Sequence, residues 1–296
     1  MAEGLPGLDS LAQVCAEFGL NDSGARLLHH RSNAVYLLPQ EQVVVRLAPA
    51  TALRRERAAT AITVTRWLCT QPDRIALPPV PGDQPIVAGS AVATFWPYQP
   101  PTGHPSLDKL AVPLRRLHAL PTPPFSAPVY RPLHRLDEAM EIDSGRERPV
   151  LSLDDRTWLT ARAHTLKDAF ASTDFPLGIG LVHADAHTEN LVRHHDDWVL
   201  IDWDQACVGP RELDLLSGLP DHFHEPEADR VAFLTAYGYD LTRWPSWALL
   251  RDIAELHSLA SYIRLAAVKR AARDELASRV RSLRSGDRSV RWRAVS

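Results

Sequence analysis

Apolar positions along the first hundred residues switch repeatedly between a helical and a strand-like spacing. Residues 8–18 (LDSLAQVCAEF) carry them as a short amphipathic helix does. HHRSNAVYLLP (29–39) and EQVVVRLAP (41–49) are then two apolar runs rich in Val, Leu and Tyr around a polar turn, and predict a β-hairpin. RRERAATAITVTRWLCT (54–70) returns to a helix, with Ala59, Ile62, Arg66 and Leu68 spread around it and Trp67 near its end. PPVPGDQPIVAG (78–89) and SAVATFWPY (90–98) predict two more short strands. The stretch 97–105 (PYQPPTGHP) is dense in proline and suits a stiff connector.

Beyond the connector the pattern is mostly helical. SLDKLAVPLRRLHAL (106–120) starts on a Ser N-cap signal and stops before PTPP. SLDDRTWLTARAHTLKDAFAS (152–172) puts Leu159, Ala163, Leu166 and Phe170 on one face. LVHADAHTENLV (181–192) reads as a polar loop between apolar flanks, and WVLIDWDQA (198–206) as a strand entering a turn. Helical stretches at 228–238 and 246–285 follow. The expected organisation is α+β: a small β-rich N-terminal lobe over 1–96 and a larger, mainly helical lobe over 97–296.

With 296 residues and 45% apolar content the chain can bury a substantial core. No apolar run approaches the roughly 20 residues that cross a bilayer, and the N-terminal stretch lacks the pattern of a signal peptide. Cys15, Cys69 and Cys207, odd in number and far apart, read as reduced thiols of a cytoplasmic protein. The net charge of −3 is unevenly spread. Residues 97–263 hold 25 acids against 15 bases, whereas 264–296 hold 3 against 10. A basic tail without a basic body argues against nucleic acid as a partner and is expected to be a solvated Arg-rich helix with a frayed end. The acidic middle leans towards a cationic small molecule.

The segment 181–204 supplies His183, Asp185, Asn190 and Asp202 as H-x-D-x-x-x-x-N, a strand, then I-D-W-D. Phosphoryl transfer needs such a set. A carboxylate must orient the attacking hydroxyl and accept its proton, which suits Asp185. Hard oxygen donors must hold Mg²⁺ against the triphosphate, which suits Asn190 and Asp202. A metal hydrolase is the rival reading, because His183, Asp185 and His187 also resemble a ligand cluster, with His194 and His195 nearby. It leaves Asn190 and the I-D-W-D strand without a role.

VHADAHTENLV and VLIDWDQACVGPRELDL resemble the catalytic loop and metal-binding strand of the aminoglycoside phosphotransferase family, small-molecule kinases related to protein kinases. RSNAVYLL and VVVRL resemble its nucleotide-lobe hairpin, and LRRLHALP its helix after the hinge. The resemblance implies a protein-kinase-like two-lobe fold that binds ATP (or GTP) and Mg²⁺ and phosphorylates a small-molecule hydroxyl. It makes Asp185 the catalytic base, Asn190 and Asp202 the metal ligands, and His183 a packing residue of the loop. His187 and Asp204 match supporting positions, and Asp214 a buried structural carboxylate. The family often uses a lysine in the third strand for the α- and β-phosphates. None precedes Lys109 here, so Arg46 takes that place, with Glu56 as its natural ion-pair partner; a solvent-facing Arg46 and a surface Glu56 are the alternatives. The phosphate loop has no glycine, which leaves Ser32 and Asn33 to offer donors. Main-chain groups of Thr94 and Trp96 would meet the adenine, although Phe95 and Trp96 also suit a core. The implied acceptor is an aminoglycoside-type antibiotic or amino sugar, then a macrolide, sugar or choline-like alcohol, with no membrane partner. A nucleotide-binding pseudokinase is the non-catalytic alternative.

Overall fold

The structure is a computed structural model that describes residues 5–30 and 33–295. It is α+β, and packing divides the chain into two compact units: 1–128 with 180–208, and 129–179 with 209–296. From the sequence, the lobe boundary is expected at residue 96. The packing units combine chain from both sides of that position.

In the first unit, helix α1 (Leu8–Phe18) buries Leu11, Val14 and Cys15 and ends at Gly19, whose left-handed φ of 82° turns the chain out. Five strands follow: β1 (Arg26–His30), β2 (Ala34–Leu38), β3 (Val43–Pro49) and, after helix α2 (Ala52–Leu68), β4 (Ile86–Ala88) and β5 (Ala91–Pro97). They form one antiparallel sheet in the order β1-β2-β3-β5-β4. Strand alternation sorts its residues. Tyr36, Leu38, Val45, Leu47, Ala93 and Phe95 join the α1 residues in one core. The opposite face carries Ala48 and Val92, which pack with Ala58 of α2, and the cross-strand pair Arg46–Thr94. The sequence pattern did not separate β1 from β2. All five β1 residues are exposed, so this edge strand carries no in-out alternation to read.

Helix α3 (Asp108–His118) follows the proline-dense connector. In the second unit, α4 (His134–Ser144), which the sequence reading passed over, and α5 (Leu153–Ala171) share a core with later helices. Within strands β6 (Ile179–Val182) and β9 (Cys207–Pro210) the chain leaves and re-enters that unit. Between them, β7 (Leu191–His194) and β8 (Asp197–Leu200) form a hairpin with Leu191 opposite Leu200. The Leu200 N–H donates to Ile75 O at 2.8 Å, and the Leu77 N–H to Leu200 O at 3.2 Å, which fixes the hairpin against the segment before β4.

Helix α6 (Glu227–Tyr237) matches its expected range, but the stretch 246–285 is two helices, α7 (Trp247–Leu265) and α8 (Arg270–Ser285). Lys269 is extended (φ −123°, ψ 120°), and α8 folds back so that Leu276 and Val280 join the α7 core. Part of the basic tail packs inside. Arg279 is buried, 3.8 Å from the Tyr262 ring and 4.6 Å from Trp292, and donates to Tyr262 Oη, Arg293 O and Glu275. Trp292 is buried too and stacks on His222 at 4.3 Å. Aromatic rings and one internal ion pair bring the arginine inside, which a charge count does not reveal.

Candidate active site

Strand β6 delivers the chain to His183, which is fully buried. Its Nε2–H donates to the Ile201 carbonyl at 2.8 Å, and its ring lies 4.6 Å from that of buried Trp203. The Ile201 N–H in turn donates to Asn190 O at 3.0 Å. The loop 183–190 and the turn after β8 are therefore locked together from both sides. Two non-glycine residues, Ala184 (φ 60°) and Asp202 (φ 65°), hold left-handed backbone here. Such strain costs on the order of 1–3 kcal/mol per residue and persists only where its surroundings over-determine it, as these cross-links do.

Asp185 is exposed at the head of the loop. Asn190 is buried behind it, and its amide donates to Asp185 O at 2.9 Å and meets His187 Nε2 at 3.1 Å. A carbonyl oxygen can only accept, so the amide nitrogen faces the loop and Oδ1 is the donor atom left for a cation.

Opposite the loop stands Arg46 of β3. Its Nη2 donates to Asp202 Oδ1 at 2.8 Å and Asp204 Oδ2 at 3.1 Å, and its Nη1 to Asp204 Oδ1 at 3.4 Å. Burial by itself would lower the guanidinium pKa. Asp204 and Asp202 outweigh it and, with Asp185 adding to the field, hold it above its usual value. Burial likewise pushes the Asp202 carboxyl up, but Arg46, aided by His183 and His187, holds it below the ordinary carboxylate range. Three carboxylates that the sequence spreads over 20 residues thus act on one guanidinium.

The carboxylates that meet Arg46 are Asp202 and Asp204, where the sequence pointed to Glu56. Helical geometry explains this. At about 100° per residue, the α2 side that turns buried Ala58 towards the sheet also carries Arg54, four residues earlier, and leaves Glu56 exposed. Arg54 lines a small cleft with Asn33, Arg46, Thr94 and Asp204, and donates to Asn33 Oδ1 at 3.3 Å. Asn33 therefore lines the same cleft as Arg46, with its side-chain oxygen turned to Arg54, while Ser32 lies outside the described residues. The sequence reading assigned Arg54 no role at the site; its i, i+4 relation to Ala58 is the signal that finds it.

The main chain of Thr94 and Trp96 differs from expectation. The Phe95 N–H donates to Gln84 Oε1 at 2.9 Å, and its carbonyl accepts from Val80 N at 3.0 Å. Backbone direction alternates along a strand, so the groups of Thr94 and Trp96 point the other way, at their β3 partners Arg46 and Val44. The ladder takes up the groups assigned to adenine. Their side chains bond each other instead, Trp96 Nε1 to Thr94 Oγ1 at 2.9 Å.

Asn190 Oδ1 and the Asp202 carboxylate are hard oxygen donors, and the guanidinium on Asp202 occupies the place a cation favours, so the residues fit a divalent ion such as Mg²⁺. The histidines do not gather as a ligand set. His183 is spent on Ile201 and His187 on Asn190, while His194 and His195 sit at the β7–β8 turn, 4.4 Å apart. Asp214, in the second unit, is buried, in keeping with a structural carboxylate.

The model of the phosphotransferase enzyme family (APH) matches residues 24–251. The chain belongs to that family. Comparison with curated proteins finds no match. Among solved structures, this phosphotransferase is similar to the amicoumacin kinase hAmiN in complex with AMP-PNP, Ca²⁺ and Ami, at TM-score 0.70 and 13% identity, covering 95% of this chain and 92% of that one. It is also similar to a choline/ethanolamine kinase family protein from Mesorhizobium loti, at TM-score 0.64 and 15% identity, covering 93% of each chain. The GDP and kanamycin complex of APH(2")-IIia aligns at TM-score 0.63 and 13% identity, covering 95% of this chain and 100% of that one. Identities this low speak for a shared, protein-kinase-like fold. Among the described residues of this phosphotransferase, no helix is long and apolar enough to cross a membrane.

Proposed function

We propose that this phosphotransferase moves the terminal phosphate of ATP or GTP onto a hydroxyl of a small molecule, with Mg²⁺ bound. The turn that sets Asp202 and Asp204 on Arg46, cross-linked to the loop that carries Asp185, carries the reading. Asp185, open to solvent, orients the acceptor hydroxyl and takes its proton. The acceptor oxygen bonds to the γ-phosphorus as the bond to the nucleoside diphosphate breaks. Arg46 faces the phosphates, and Asn190 and Asp202 would hold Mg²⁺, which neutralises phosphate charge when bound. His183 keeps the loop in register. Residues 1–96 then serve as the nucleotide lobe and 97–296 as the catalytic and acceptor-binding lobe.

An aminoglycoside-type antibiotic or amino sugar is the acceptor class we favour. The surplus of acids over 97–263 suits a polycation, and among the similar structures one holds kanamycin. The likeness to a choline/ethanolamine kinase family protein supports a small cationic alcohol as the second choice. The test incubates the protein with ATP or GTP and a panel of aminoglycosides, amino sugars, macrolides and choline-like alcohols, with and without Mg²⁺. The expected result is Mg²⁺-dependent mass gain of one phosphate on at least one compound. Stabilisation by nucleotide with no product from any compound would make the protein a nucleotide-binding regulator instead.

A further inference from the structure

The guanidinium that faces a triphosphate has to be held in place by a group the metal does not claim. Arg46 touches two carboxylates, and it touches them differently. Towards Asp204 it presents both terminal nitrogens to two oxygens, at 3.4 and 3.1 Å, the end-on fork that fixes a guanidinium's plane. Towards Asp202 it makes a single bond at 2.8 Å. The Arg46 and Asp204 side chains are 15% and 17% exposed, whereas Asp202 is 34% exposed. Asp204 is itself well anchored, because it sits in the 3₁₀ turn Trp203–Gln205 beside Trp203, which is fully buried and bonded through Nε1 to Leu200 O at 3.1 Å.

We propose that Asp204 is the positioning residue of Arg46, and that the two aspartates of I-D-W-D divide the work: Asp204 keeps the guanidinium aimed at the phosphates, and Asp202 is released from its single bond to serve the metal. The helix next to the strand supplies no carboxylate for this task, since Ala58 occupies the side that faces the cleft and Glu56 faces solvent. Loading then exchanges one hydrogen bond and leaves the fork intact. The inference rests on the kinase reading and concerns which residue orients the nucleotide's cation.

The test measures calorimetric binding of AMP-PNP, with and without Mg²⁺, to the full chain and to Asp204→Asn, Asp204→Glu, Arg46→Met and the double variants. Asp204→Asn should weaken AMP-PNP binding at least tenfold under both conditions and leave the Mg²⁺ enhancement ratio unchanged. Asp204→Glu should recover part of the loss, and neither Asp204 substitution should cost more than twofold in the Arg46→Met background. If Asp204→Asn does not fold, the same cycle with Asp204→Glu decides. Wild-type affinity in the single variants, an equal loss in the Arg46→Met background, or a loss confined to Mg²⁺-containing buffer would overturn the assignment. A wild-type protein that binds no AMP-PNP would sink the kinase reading itself, and this inference with it.

Discussion

Asn190 turns its side-chain amide back onto its own loop and donates to the Asp185 carbonyl at 2.9 Å, so the residue proposed to hold the metal also fixes the segment that carries the proposed base. Asn190→Ala should therefore do two kinds of damage. Losing the bonds to Asp185 O and His187 removes two part-buried hydrogen bonds, each worth about 0.5–1.5 kcal/mol, which a denaturant titration reads. Turnover should fall by a much larger factor than that stability loss explains. A variant with normal turnover would remove Asn190 from the site.

Asp185→Ala tests the base alone. The side chain is exposed, so the fold should tolerate the change. General-base catalysis contributes about 10²–10⁴-fold, and phosphoryl transfer should drop by that order while nucleotide still protects the protein against heating. Turnover within threefold of wild type would leave the proton without its proposed acceptor.

Asp202→Ala should separate metal from nucleotide. With its carboxylate gone, Arg46 keeps the fork to Asp204, and any nucleotide binding that persists should no longer respond to Mg²⁺. A Mg²⁺ titration that superimposes on the wild-type curve would refute the role.

Away from the site, Glu255 of α7 makes stability depend on pH. Burial pushes its pKa up to about 7 from an ordinary 4.5, against the pull of Arg288 and Arg251, with Asp252 adding to the rise. The folded protein keeps this proton through a range in which the unfolded chain has lost it. The associated stability is full below about 4.5 and is lost as pH rises through about 7. Glu255→Gln cannot titrate. The wild-type melting temperature, taken relative to this variant, should fall between pH 5 and pH 8. A difference that stays constant with pH would contradict the assignment.

Local pattern was enough for most elements, because a strand's alternation and a helix's apolar stripe are written in neighbouring residues. The hairpin of β2 and β3, the helices α1, α2, α3 and α5, and the loop with Asp185 and Asn190 are all of this kind. Where the signal was missing, so was local contrast. Strand β1 is exposed on every residue, and the break at 266–269 has neither proline nor glycine to mark it.

The sequence by itself determined the order of most elements and the chemistry on offer: H-x-D-x-x-x-x-N, then I-D-W-D, and an arginine in the third strand. Tertiary structure decided who partners whom. Arg46 meets Asp204, 158 positions away, and passes over Glu56, only ten away, because helix phase turns Glu56 outward while a 3₁₀ turn brings Asp204 in. The same holds for Arg279, charged in any composition count yet enclosed by Tyr262 and Trp292. Pairings of this sort depend on the direction of side chains in space, which only the folded chain fixes.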